Sequence, residues 1–210
     1  MDATRAAGVM AALQALYPEA KPELNFRNPF ETLIATILSA QCTDKRVNMV
    51  TARLFPQYPD AFAMAKLTPQ ELEPMIRECG LYHNKAKNIV AASRALVAQY
   101  DGKVPSTRKE LMALPGVGQK TAGVVLLAAF GDDQIPVDTH VFRVSRRIGL
   151  ADANTPEKVE AQLRDLLDRD IWSLGHHLII WHGRRCCHAR KPECARCPLD
   201  GGLCEKHMEN

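Results

Sequence analysis

Three times in this chain a side chain able to cap a helix stands directly before a proline, at Asn28-Pro29, Thr68-Pro69 and Thr155-Pro156. Such a pair marks a helix start. The polar oxygen accepts an N–H of the first turn, and proline at the first helical position lacks only a donor that would go unused there. At Thr68 the mark is complete, because Glu71 stands where its carboxylate can reach back to the cap. Glycines supply the matching stops: Gly80 after residues 75–79, Gly131 after the apolar run ending at Phe130, and Gly149 after residues 141–148. Between these marks apolar residues recur at three and four positions, and no four-residue run alternates as a strand would. The pattern predicts an all-α chain of roughly ten short helices, without internal repeat or evident linker.

With 210 residues the chain can bury one large core or two small ones. Hydrophobic residues at 46% and charged residues at 24% are ordinary globular values, which excludes disorder as its main character. The longest apolar run, residues 124–130, falls far short of the roughly 20 that a membrane helix needs. Gly8 and Gln14 interrupt the N-terminal stretch and Pro18 closes it, so no secretory leader is expected and a cytoplasmic, nucleoid-associated location of bacterial type is. A net charge of +3 does not by itself mark a nucleic-acid binder. Two basic clusters matter more: Arg143, Arg146 and Arg147, then Arg184, Arg185, Arg190, Lys191 and Arg196. Each is either a solvated face or a set of phosphate contacts.

Residues 111–130, LMALPGVGQKTAGVVLLAAF, read as a helix end, a tight turn and a second helix. Pro115 stops the first helix, and Gly116 and Gly118 permit positive φ on either side of Val117. Glycines there leave backbone N–H groups bare, and the first turn of the next helix adds unpaired N–H groups at its positive dipole end. That arrangement suits one phosphate; the plain alternative is a ligand-free turn between packed helices. Lys120 lies in the first turn of the second helix, and Asp138 opens the next one, where it is also a good N-cap.

Five of seven cysteines fall between positions 186 and 204, which argues for a local metal site over a disulfide framework. Cys187, Cys194, Cys197 and Cys204 leave gaps of six, two and six residues, so one loop can wrap a single four-thiolate centre. Tetrahedral thiolate suits zinc as well as iron–sulfur. Cys186 adjoins Cys187, and neighbours in sequence do not readily face one centre together. Cys42 and Cys79 stand apart and are read as small core or surface residues.

From Leu114 to Asp138 the chain resembles the helix-hairpin-helix motif, with its trailing glycine, proline and aspartate, of base-excision DNA glycosylases. The likeness extends to ELNFRNPFETLIATILSAQCTD early in the chain and to the cysteines at its end, and it points to the endonuclease III family. The resemblance implies a two-domain helical fold, a six-helix domain at about 22–132 carrying the hairpin and a second joining 1–21 with 133–210. DNA would bind between them, where Lys120 and Asp138 meet. Lys120 is then the nucleophile that forms a Schiff base at C1′, Asp138 assists it, and β-elimination nicks the strand. Gly116, Val117 and Gly118 would grip the backbone, Gln41 and Leu81 would fill the space left by a flipped base, and His140 and Asp44 would line its pocket. Without the family, Gln41 reads as a polar residue at a helix end, Leu81 as core, and Lys120 as a solvated surface lysine.

The resemblance also selects a [4Fe–4S] cluster over zinc, held by Cys187, Cys194, Cys197 and Cys204, although the final gap here is one residue longer than the family's, at Gly201-Gly202. The cluster would be structural and present Arg190, Lys191 and Arg196 to the DNA backbone. The expected partner is double-stranded DNA bearing damaged bases, oxidised pyrimidines of the thymine glycol type, or abasic sites, bound by a monomer. Two rivals are a related adenine-removing enzyme, which lacks the lysine, and a non-catalytic hairpin or redox module in which Lys120 is idle.

Overall fold

The computed structural model describes residues 1–205, which form eleven α-helices and three 3-10 turns and, among the described residues, no strand. The starts lie where the sequence marks them. Asn28 accepts the Glu31 N–H at 2.9 Å, Thr155 caps through the Lys158 N–H, and Thr68 closes a capping box in which its own N–H reaches the Glu71 carboxylate at 2.7 Å. Gly131 and Gly149 end their helices in the left-handed region, at φ 64° and 87°. The stop at Gly80 differs: the α-helix ends at Ile76, and a 3-10 turn, Arg77–Cys79, intervenes before Gly80.

The chain divides into two compact units, Pro22–Asp132 and Met1–Lys21 with the segment from Asp133 onward. The first holds α2 (Pro29–Ser39), α3 (Asp44–Leu54), α4 (Ala61–Ala65), α5 (Pro69–Ile76), α6 (Tyr82–Tyr100), α7 (Arg108–Met112) and α8 (Gln119–Phe130). At its centre α2 is buried on every side from Phe30 to Leu38, with α3, α6 and α8 against it. A helix buried all round must satisfy its polar groups internally. Thr32 and Thr36 donate to the carbonyls of Asn28 and Thr32 at 2.9 and 2.7 Å, and the buried Glu31 carboxylate accepts the Arg27 backbone N–H at 2.7 Å and its guanidinium at 2.7 Å. Burying Leu33, Ile34, Leu38 and Ile89 completely contributes about 1.5–3 kcal/mol each.

The second unit holds α1 (Ala3–Leu16), α9 (Thr139–Ile148), α10 (Pro156–Leu166) and α11 (Trp172–Arg185). Ala6, Val9, Met10 and Leu13 of α1 share a core with Val141, Val144 and Ile148 of α9 and Leu178 and Ile179 of α11. Gly183 sets the approach of α11 to α9, since a Cβ there would meet Val144 Cγ2 at 3.0 Å and His140 Nδ1 at 3.1 Å.

Candidate nucleic-acid interface and cysteine loop

Residues 114–117 turn the chain from α7 into α8. The Val117 N–H donates to the Leu114 carbonyl at 3.2 Å, with Pro115 and Gly116 at the corner and Gly116 at φ 78°. This is a type II turn, whose third position requires glycine. A Cβ at 116 would also meet Asn88 Cβ at 2.8 Å, so close packing excludes a side chain independently. Gly118 departs from the expectation of a positive φ: at φ −94°, ψ −177° it is extended and forms the N-cap of α8. Its contribution is a missing side chain, for no side chain caps this helix and a Cβ at 118 would touch nothing within 4 Å. Val117 also departs from its part in an outward amide cradle, because its side chain joins the core and its N–H closes the turn. What can meet an anion is the first turn of α8, whose N–H groups have no acceptor within the helix. Lys120, half-buried, stands in that turn.

Four non-glycine residues among those described have positive φ: Gln41 at 53°, Leu81 at 47°, Asp101 at 51° and Lys191 at 53°. A side chain in that region costs about 1–2 kcal/mol, so each needs a reason to persist. Three of the four are residues that the sequence singled out for DNA contact. Leu81 is no core residue; it is 54% exposed at the N-cap of α6. Gln41 is exposed just past the end of α2, and Asp44 opens α3 behind the capping Thr43.

In the other unit Asp138 caps α9, its Oδ1 accepting the N–H groups of His140 and Val141 at 2.8 and 2.7 Å. The segment leading to it is held by His176, buried, whose Nδ1 donates to the Pro136 carbonyl at 2.9 Å; a carbonyl only accepts, which fixes the proton on Nδ1. Burial pushes the His140 imidazole below its ordinary pKa, opposed by Asp138 and reinforced by Arg143 and Arg184, so the ring is neutral at neutral pH.

None of the seven cysteines is joined in a disulfide. Cys187, Cys197 and Cys204 pack on the core of their unit, while Cys194 is exposed on the 3-10 turn Cys194–Arg196. Cys187 Sγ lies 3.8 Å from Arg147 Nη1, and Cys204 Sγ lies 3.7 Å from the Arg147 carbonyl. The structure also gathers a set that the spacing did not select: His182, Cys186 and Cys197 place their ligand atoms within 4.8 Å of one another, with Cys197 Sγ 3.6 Å from His182 Nε2. Of the four cysteines chosen from sequence, only Cys197 belongs to that set.

Residues 34–169 match the family described as HhH-GPD superfamily base excision DNA repair protein. The chain belongs to the HhH-GPD superfamily. Endonuclease III of Synechocystis sp. is 48% identical over 196 residues, covering 93% of this chain and 90% of the relative, and endonuclease III of Escherichia coli strain K12 is 43% identical over 98% of this chain and 97% of the relative. A solved structure of a trapped endonuclease III–DNA covalent intermediate, an estranged-adenine complex, superposes with a TM-score of 0.94 at 44% identity, covering 98% of this chain and 97% of that one.

In this HhH-GPD superfamily member several residues make contacts that the sequence did not assign to them. Arg143 Nη2 donates to the carbonyls of Gly183 and Cys187 at 2.9 and 3.0 Å, and Arg147 donates to those of His188 and Ala189. Two members of the first basic cluster thus tie the start of the cysteine loop to α9. Arg196 pairs with Glu193 and donates to the Arg185 carbonyl, so it is engaged within the loop, whereas Arg190 and Lys191 are exposed. No local pattern could have shown this for Arg143 and Arg147, whose partners lie some 40 positions away. Lys85 did leave a trace: it falls on the stripe of Ile89, Ser93 and Leu96, the buried face of α6. Among the described residues no helix is long and apolar enough to cross a membrane.

Proposed function

We propose that this protein excises damaged bases from duplex DNA and cleaves the resulting abasic site, with Lys120 as the nucleophile. The observation that carries the reading is the uncapped start of α8 behind the Leu114–Val117 turn, with Lys120 in its first turn. The amides bind one backbone phosphate, and Lys120 is thereby presented beside the sugar. Its neutral amine attacks C1′, the glycosidic bond breaks with its electron pair leaving on the base, and opening of the sugar ring gives an imine. At an existing abasic site the amine condenses with the aldehyde and water departs. Removal of a C2′ proton then expels the 3′ phosphate, and hydrolysis of the imine frees Lys120.

Asp138 is proposed to assist the attack and stabilise positive charge developing on the sugar. Gln41 and Leu81 fill the stack where the nucleotide leaves it, in keeping with their exposed, left-handed turns. His140, neutral, and Asp44 are each proposed to contact the flipped base, and Arg190 and Lys191 the DNA backbone. The preferred lesions are oxidised pyrimidines of the thymine glycol type, in line with the endonuclease III relatives.

A [4Fe–4S] cluster is supported by several cysteines outside any disulfide on one short loop and by the Arg147 guanidinium beside Cys187 Sγ, a cation suited to an anionic group. Cys187, Cys194, Cys197 and Cys204 would hold it. Four thiolates leave no open position for water, so the group supplies structure to the loop. A single zinc ion is the second reading, favoured by the close set of His182, Cys186 and Cys197.

Borohydride trapping on a duplex with one thymine glycol tests the central claim. Reduction during turnover is expected to leave a covalent protein–DNA adduct that Lys120→Ala cannot form, while Lys120→Gln still binds the duplex through the backbone amides. An adduct persisting in Lys120→Ala would overturn the assignment.

A further inference from the structure

The turns that carry Gln41 and Leu81 belong to separate stretches of chain, yet one side chain joins them. Lys85 is only 4% exposed, and its Nζ donates to the carbonyls of Leu38 and Cys79, each at 2.8 Å. Leu38 lies in the last turn of α2, where carbonyls lack helical partners and the dipole is negative, and Cys79 ends the 3-10 turn before Gly80. Each carbonyl precedes a left-handed residue by two or three positions, Gln41 on one side and Leu81 on the other. The Lys85 backbone N–H closes the same corner by donating to Leu81 O at 3.0 Å.

A position on the buried stripe of α6 that only had to fill space would hold an apolar residue. Desolvating an ammonium is unfavourable, and here two carbonyls at helix ends offset it. Burial pushes the Lys85 ammonium below its ordinary pKa, opposed by the neighbouring Cys42 and Cys79 thiols.

We infer that Lys85 is a positioning residue that locks the two left-handed turns to each other, so that Gln41 and Leu81 enter the base stack as a single wedge. The wedge's purpose rests on the excision reading above; the lock itself does not. In a lock of this kind, loss of the ammonium frees both turns at once, because each is pinned by the same atom.

Lys85→Met tests this in two steps. Amide hydrogen exchange without DNA is expected to accelerate together in residues 40–43 and 80–83, with the rest of the unit unchanged; acceleration in one turn alone, or in neither, overturns the lock. Imine trapping is then compared at an abasic site in duplex and in single-stranded DNA. The duplex rate is expected to fall about tenfold or more, and the 2-aminopurine signal of a flipped base to fall with it, while single-stranded trapping changes little, since no stack needs filling there. An equal fall on both substrates, or none, overturns the wedge. A parent protein that traps on neither substrate sinks the excision reading instead, and the exchange data still decide the lock. If Lys85→Met does not fold, Lys85→Gln, whose amide nitrogen stands one bond nearer the backbone and so cannot keep both contacts with the turns in place, takes its place and is judged by the same ratio.

Discussion

The Asp138 carboxylate accepts the Val141 N–H at 2.7 Å through the same oxygen, Oδ1, that accepts the His140 N–H. One oxygen therefore does the capping, and asparagine retains its counterpart. Asp138→Asn is expected to leave the unfolding midpoint in place while slowing base release by about 10²–10⁴. Asp138→Ala should in addition destabilise the fold by about 1 kcal/mol. Single-turnover kinetics beside thermal unfolding separate the two roles. An active asparagine variant would reduce Asp138 to a helix cap.

Leu81 combines a strained backbone with an exposed apolar side chain. Glycine relieves the strain and loses some of that gain to the entropy of the unfolded chain, so Leu81→Gly should stabilise the protein by about 0.5–1 kcal/mol in urea unfolding. The same variant should excise lesions from duplex DNA more slowly, because the wedge has lost its side chain. A gain in stability with undiminished excision would leave the exposed leucine without its proposed purpose.

The two metal readings part at Cys186. With a [4Fe–4S] cluster the purified protein is yellow-brown and binds about four irons per chain. Cys186→Ser then keeps the iron, and Cys187→Ser loses it. A colourless protein whose single zinc disappears with Cys186→Ser would instead assign the site to His182, Cys186 and Cys197, the set whose ligand atoms lie within 4.8 Å.

The arginines should divide into two classes. Replacing exposed Arg190 and Lys191 with alanine is expected to weaken binding to all duplexes alike and to flatten its salt dependence by about one unit of log–log slope per lost phosphate contact. Arg147→Ala should leave that slope alone and loosen the loop, seen as faster loss of metal to a chelator, because its guanidinium holds the carbonyls of His188 and Ala189. A changed slope in Arg147→Ala would mean that it reaches DNA after all.

Much of the helical architecture is written locally. Asn28, Thr68 and Thr155 cap because their oxygens reach an N–H three residues on, and Gly116, Gly131 and Gly149 sit where a Cβ would be strained; such effects span four or five residues and survive any tertiary arrangement. The hairpin was legible for the same reason, and so was the crowding of cysteines near the end of the chain, but spacing alone did not show that Cys197 would lie beside His182 and Cys186. Which residues meet water, and which cation serves the interior, was not legible. Leu81 is exposed and Lys85 buried, the reverse of what their side chains suggest, because the fold brings the Leu38 carbonyl at the end of α2 and the Cys79 carbonyl together beside α6, where the Lys85 ammonium donates to both. Gly118 took an extended backbone once the turn had closed at Val117, and Arg143 and Arg147 turned inward because the loop brought bare carbonyls to α9 from forty residues away. Those outcomes depend on contacts between distant segments, and such contacts exist only when the chain has folded.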